Sequence, residues 1–97
     1  METKIAGYTK TNHFLSRQLD RGVTDLELKF ALKKVNKSKG TKLLVVSRKV
    51  IKQCSHKKSL DLFIKLKGQI LITCFYCDFQ DYLNARKKEN YFLITQF

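Results

Sequence analysis

Leu60-Asp61-Leu62-Phe63-Ile64-Lys65-Leu66-Lys67-Gly68-Gln69-Ile70-Leu71-Ile72-Thr73-Cys74-Phe75-Tyr76 is the stretch that decides the fold class. Leu60, Leu62, Ile64 and Leu66 alternate with other residues, the period of a strand with one face on a core. Lys67-Gly68 is a hairpin-turn signal, and Gln69 to Tyr76 reads as the returning strand. Upstream, Leu43-Leu44-Val45-Val46 is a continuous apolar run, half of it β-branched, and reads as another strand. Downstream, Phe79 to Glu89 is polar and turn-like, with a short helix expected at Tyr82 to Lys88. Tyr91 to Phe97 reads as a last strand.

The N-terminal third has helical spacing. Thr11 or Asn12 caps a first helix running to about Arg21, and Gly22 supplies the left-handed residue after it. Phe14, Leu15 and Leu19 fall on its apolar side. Thr24 and Glu27 form a capping box for a second helix, with Val23 and Leu28 as the hydrophobic staple. Leu28, Ala31, Leu32 and Val35 follow at i, i+3, i+4 and i+7, and Ser38-Lys39-Gly40 is a loop. Helices first and strands afterwards predict an α+β fold, with two N-terminal helices packed on a mostly antiparallel four-stranded sheet. At 97 residues the chain suits a single domain, 1–97.

The net charge is +12, from 20 Lys and Arg against 8 Asp and Glu. It is concentrated in one segment. Residues 28 to 60 hold eleven cations and no acid: Lys29, Lys33, Lys34, Lys37, Lys39, Lys42, Arg48, Lys49, Lys52, Lys57 and Lys58. Residues 1 to 27 are balanced, and residues 61 to 97 are nearly so. Such a segment suits a polyanion, whose phosphates release counterions as the lysines approach. A solvated face that keeps the protein soluble is the plainer alternative. A membrane surface fits less well, because the segment lacks a long amphipathic helix with aromatic residues on one side. The run Ile70 to Cys77 is far shorter than the roughly 20 apolar residues a spanning helix needs. Met1-Glu2-Thr3-Lys4 lacks the profile of a secretory signal. Three cysteines without framework spacing fit a reducing compartment, so a cytoplasmic protein is expected, with a secreted or delivered fragment as the alternative.

His13, Arg17 and Arg21 stand at i, i+4 and i+8 and so lie near one stripe of the first helix. Metal-free RNA cleavage uses these residue types. Histidine carries protons near neutral pH, and arginine clamps phosphoryl oxygens in a fork. An exposed helix face paired with Asp20 or Asp25 is the bland account of the same residues.

The string His13-Phe14-Leu15-Ser16-Arg17-Gln18-Leu19-Asp20-Arg21-Gly22-Val23-Thr24, with the acidic amphipathic helix after it, resembles the opening of small toxin-like domains of the barnase/EndoU/colicin/RelE ribonuclease group. The ending Leu93-Ile94-Thr95-Gln96-Phe97 is similar to the last strand of that group. The resemblance covers residues 11 to 34 and 91 to 97. It implies two helices on a four-stranded antiparallel sheet and a metal-independent endoribonuclease acting by transphosphorylation. It assigns His13 as acid or base, Arg17 and Arg21 as phosphate binders or supports of the helix, and Thr95 as a donor to the scissile phosphate. It also implies RNA as partner (tRNA, mRNA or rRNA) and an acidic inhibitor, immunity or antitoxin protein. Competing accounts are a non-enzymatic nucleic-acid-binding regulator, a phage-type inhibitor and a plain protein-interaction module.

Beside this motif, Lys33, Lys34, Lys42, Arg48, Lys49, His56, Lys57 and Lys58 are candidate nucleic-acid contacts. His56 is either a second proton carrier or a loop residue. Cys54-x-His56 and Cys74-x2-Cys77 supply four soft ligands. Residues three apart on a strand face opposite ways, however, so the Cys74 and Cys77 sulfurs diverge, and no metal or other cofactor is expected. Among the aromatic residues of the C-terminal half, Tyr76 and Tyr91 are candidate platforms for stacking a base.

Overall fold

A computed structural model describes residues 3–34, 41–54, 59–85 and 91–95. The described elements run β1 (Lys4–Ile5), β2 (Tyr8–Lys10), α1 (Asn12–Arg21), α2 (Asp25–Lys33), β3 (Thr41–Val46), α3 (Arg48–Cys54), β4 (Asp61–Lys67), β5 (Ile70–Cys77), α4 (Phe79–Ala85) and β6 (Tyr91–Ile94). They build one six-stranded sheet in the order β1-β2-β5-β4-β3-β6. The α+β class is as expected. The sheet is larger and more mixed than the four antiparallel strands expected, and the described helices number four.

The hairpin of residues 60–76 is at its centre. β4 pairs antiparallel with β5 on one side and with β3 on the other. The turn is Gly68-Gln69, one residue later than expected, with Gly68 at φ 57°. That backbone region strains a residue with a Cβ. Lys65 pairs Thr73 while Leu66 pairs Leu71, so Ile72 is an extra residue in β5. This bulge lets Leu71 and Cys74 share a face although they are three apart. Cys74 and Cys77 lie against opposite faces.

Two additions to the sheet explain the mixed pairing. Residues 4–10 form a short hairpin, which lies parallel to β5 through β2. The chain then turns into α1, whose N-cap Thr11 accepts from Phe14 N and donates its hydroxyl to the Ile72 carbonyl at the bulge. At the other edge, β6 lies parallel to β3. It reaches that position after α4, which crosses the second face of the sheet.

The continuous run in β3 is apolar on both sides because both faces are covered. Leu44 and Val46 join Phe14, Leu28, Ala31, Leu32, Val50, Ile51, Leu62, Ile64 and Leu71 in the main core under α1, α2 and α3. Leu43 and Val45 join Phe63 and Tyr82 on the α4 side. Phe63 stacks on Phe75 with ring centroids 5.1 Å apart, and Tyr82 lies 4.5 Å from Phe63.

The helix termini match the expectation closely. Gly22 adopts φ 66° and ψ 33°, and the Thr24–Glu27 capping box is complete. Val23 and Leu28, the expected staple pair, are both buried in the main core. The buried face of α1 differs. Phe14 is buried, but Gln18 takes the next inward position, while Leu15 is half-buried and Leu19 is 66% exposed. The cause is a polar contact: Gln18 Nε2 donates to Asp25 Oδ1 at 2.8 Å, pulling that stripe toward α2. The short helix expected at Tyr82 to Lys88 begins three residues earlier, at Phe79.

Candidate functional site

The charged residues sort by whether an acid already holds them. The Lys10 side chain is fully buried and bonds Asp25 at 2.8 Å. That bond, with the one from Gln18, holds the Asp25 carboxyl below the usual carboxylate range. Arg17 reaches Asp20 at 3.7 Å, a long and exposed pair worth little. Arg48 meets Asp61 at 3.2 Å and Asp78 at 2.5 Å. Its guanidinium is therefore held by two carboxylates, which raise its pKa further and lower that of Asp78. Arg48, a candidate nucleic-acid contact on or beside the strand at Leu43–Val46, does follow β3 closely. It begins α3 and anchors this clamp.

Arg21 differs from these. Its NH1 donates to the Cys74 carbonyl at 2.7 Å, and its guanidinium carbon lies 6.0 Å from the centre of the Phe75 ring. Among the described residues it has no carboxylate partner. It lines a cavity of about 160 Å3 with Ser59, Leu60 and Tyr76. The Tyr76 hydroxyl donates to Glu27 Oε2 at 2.7 Å, which ties β5 to α2. Glu27 is completely buried, and its other oxygen accepts from Thr24.

The lysines form the second feature. α2 and α3 touch, and Leu28, Ala31 and Leu32 of one share the main core with Val50 and Ile51 of the other. Lys29, Lys33, Lys34, Lys49 and Lys52 are all exposed on these two helices. The acids of α2 are engaged elsewhere, and of the five lysines only Lys29 is near enough to Asp25 to help lower its pKa. Asp25 is bonded to Lys10, Glu27 is buried, and α3 has no acid. Lys52 belongs to the basic segment but not to the candidate contacts, whereas Lys29 stands with Lys33 and Lys34 as a cation of the second helix. Their spacings, Lys29 to Lys33 and Lys49 to Lys52, were the signal, since residues three or four apart are neighbours on a helix.

The motif residues are partly gathered and partly separated. His13, Arg17 and Arg21 lie along α1, with His13 exposed on the first turn. Thr95 is exposed just beyond β6 and lines a cavity of about 200 Å3 with Lys34, Phe92, Leu93 and Ile94. Lys34 and Thr95 are thus brought together. His13 and Thr95 are not. α1 packs on β5, and β6 is three strand positions away, on the order of 14 Å along the sheet. Lys42 falls in β3 opposite Leu66, and Lys49 is on α3. His56, Lys57 and Lys58 lie outside the described residues, and His56 is one of the four soft ligands weighed for a metal. Among the described residues no group of three or more His, Cys, Asp or Glu is placed to hold a metal ion. Burial pushes the Cys74 thiol up to about 11, so it stays protonated at neutral pH. Burial, with Asp81 and Asp78 nearby, raises Cys77 as well. No helix of the described chain is long and apolar enough to cross a membrane.

Comparison with protein-family models, with curated proteins and with solved structures finds no match to this chain.

Proposed function

We propose that this is an RNA-binding protein of the ribonuclease-toxin type, in which the outer surfaces of α2 and α3 collect the nucleic acid. The observation that carries the reading is the set of five exposed lysines on two touching helices whose acids are bonded elsewhere or buried. Phosphates replace the counterions of such a surface, so affinity depends on salt. An acidic inhibitor protein would meet the same face, by the same complementarity.

A second reading adds cleavage. His13 is exposed at the start of α1, with Arg17 and Arg21 along the same helix. In this reading His13 transfers the proton, and the arginines hold the phosphate. Thr95 lies too far across the sheet to share one phosphate with His13 in this arrangement, so its place is the Lys34 cavity.

The test is a titration of the protein with single-stranded RNA at several salt concentrations in EDTA. The expected slope of log K against log salt is about −3.5 if all five lysines contact phosphates, at about −0.7 per contact. Replacing Lys33 and Lys49 with Gln should reduce its magnitude by about 1.4. Absence of RNA binding at about 0.1 M salt would remove the reading. The same samples, run for wild type and His13→Ala, show whether RNA is cleaved by the wild type alone.

A further inference from the structure

We propose that the cavity between Arg21 and Tyr76 is a nucleotide subsite, taking one phosphate and the base beside it from a bound single strand. The proposal rests on the RNA-binding reading above and names what one part of the molecule would recognise.

Arg21 is built for an anion. A guanidinium has five N–H donors in a fixed fork. One of them is used on the Cys74 carbonyl, and the Phe75 ring borders the group. These two contacts set its plane without neutralising its charge. Every other arginine of the described residues meets a carboxylate: Arg17 meets Asp20, and Arg48 meets Asp61 and Asp78. Among the described residues no carboxylate pairs with Arg21, while its orientation is set by Cys74 and Phe75. Little side-chain entropy is then left to lose when a phosphoryl oxygen arrives.

Tyr76 supplies the other half. Its hydroxyl is held by the buried Glu27 carboxylate, and part of its surface packs against the main core. Its remaining surface lines the cavity with Leu60 and Ser59. A fixed aromatic surface next to a guanidinium with no carboxylate partner among the described residues matches a ligand that carries a ring and a phosphate together. Base stacking on such a ring tolerates any base. Ser59 adds a hydroxyl able to donate or accept. At about 160 Å3 the cavity suits one flat ring rather than a duplex. An acidic peptide would satisfy Arg21 but bring no ring to Tyr76.

The chain has four tyrosines and no tryptophan, so its emission reports the tyrosines directly. The experiment titrates the protein with a short single-stranded RNA and follows both emission and affinity. Wild-type emission should be quenched on binding. Tyr76→Phe should lose most of that quench while its affinity stays within about threefold, because Phe still stacks. Tyr76→Leu should weaken binding by about 5- to 100-fold. Arg21→Gln should lower the magnitude of the salt slope by about 0.7, one phosphate contact. Thermal unfolding of each variant confirms that it folds, and Tyr76→Phe keeps the test decisive should Tyr76→Leu not fold. Equal quenching in wild type and Tyr76→Phe would overturn the subsite, as would an unchanged salt slope in Arg21→Gln. If Lys33→Gln and Lys49→Gln still flatten the slope in that case, the α2–α3 interface stands and the subsite alone has failed. An acidic peptide that competes while no tyrosine quench occurs would also overturn it, in favour of a protein partner.

Discussion

The Lys10 ammonium is closed off from water, and Asp25 is the acid that compensates its charge. The pair is asymmetric: the Lys10 side chain is fully buried, whereas that of Asp25 is 49% exposed. Removing the acid strands a charge inside the protein. Removing the lysine leaves an acid that water can solvate. Asp25→Ala should therefore destabilise by about 2 kcal/mol, below the roughly 3–5 kcal/mol typical of a fully buried pair. Lys10→Met should cost less than half of that, as measured by urea unfolding. The pH dependence has a definite sign. The folded Asp25 pKa lies below its ordinary 3.8 because Lys10 and Gln18 bond the charged form. Its stabilisation is present above that ordinary value and is lost as pH falls through the lower folded value. Melting temperatures of wild type and Asp25→Asn should therefore differ at neutral pH and converge in acid. Residue types alone could not show this network. A lysine at position 10 reads as solvated, and its burial depends on α2 arriving with Asp25.

At the scale of elements, one carboxylate bonds the first amide of two helices. Asp61 Oδ1 accepts from Arg48 N at 2.6 Å, and Asp61 Oδ2 accepts from Phe79 N at 2.9 Å. α3 and α4 are only seven residues each, so neither is stable without tertiary contacts. Asp61→Ala should cost about 3 kcal/mol, since its bonds to two helix-start amides and to the Arg48 guanidinium go together, while Ser47 and Asp78 still cap the helices. Urea unfolding would measure it, and circular dichroism should show helix content falling. The short length of α3 also hides it in the sequence, whereas α4 overlaps the short helix expected there. Seven residues barely span two turns, and the Val50-Ile51 pair beside Val45-Val46 reads more like strand than helix. The N-terminal hairpin escaped for a different reason. Its turn is Ala6-Gly7, with Ala6 at φ 49° and Gly7 at φ 85°. Asn-Gly, the usual signal for such a turn, is absent because Ala occupies the first position. Ala6→Asn should therefore raise stability by about 0.5–1 kcal/mol, readable as a higher melting temperature.

At the scale of the whole molecule, the charge excess becomes a surface rather than a segment. Two touching helices carry five exposed lysines, while Arg48 from the same segment is held by Asp61 and Asp78. Simultaneous replacement of Lys29, Lys33, Lys49 and Lys52 with Gln should leave the melting temperature within a few degrees, because these side chains are exposed. RNA affinity at about 0.1 M salt should fall by an order of magnitude or more. The helix caps at Thr11, Gly22 and Thr24, the central hairpin and the strand at Leu43–Val46 were legible in the chain, because each depends on neighbours within a few residues. The same holds for the basic segment and for the opposite directions of Cys74 and Cys77. The parallel placement of β2 and β6, the inward turn of Gln18, the burial of Lys10 and the capture of Arg48 were not legible. Nor was the sharing of one cavity by Arg21 and Tyr76. Each of these joins groups far apart in sequence, and its free energy depends on which elements pack together. Local periodicity carries no term for that packing.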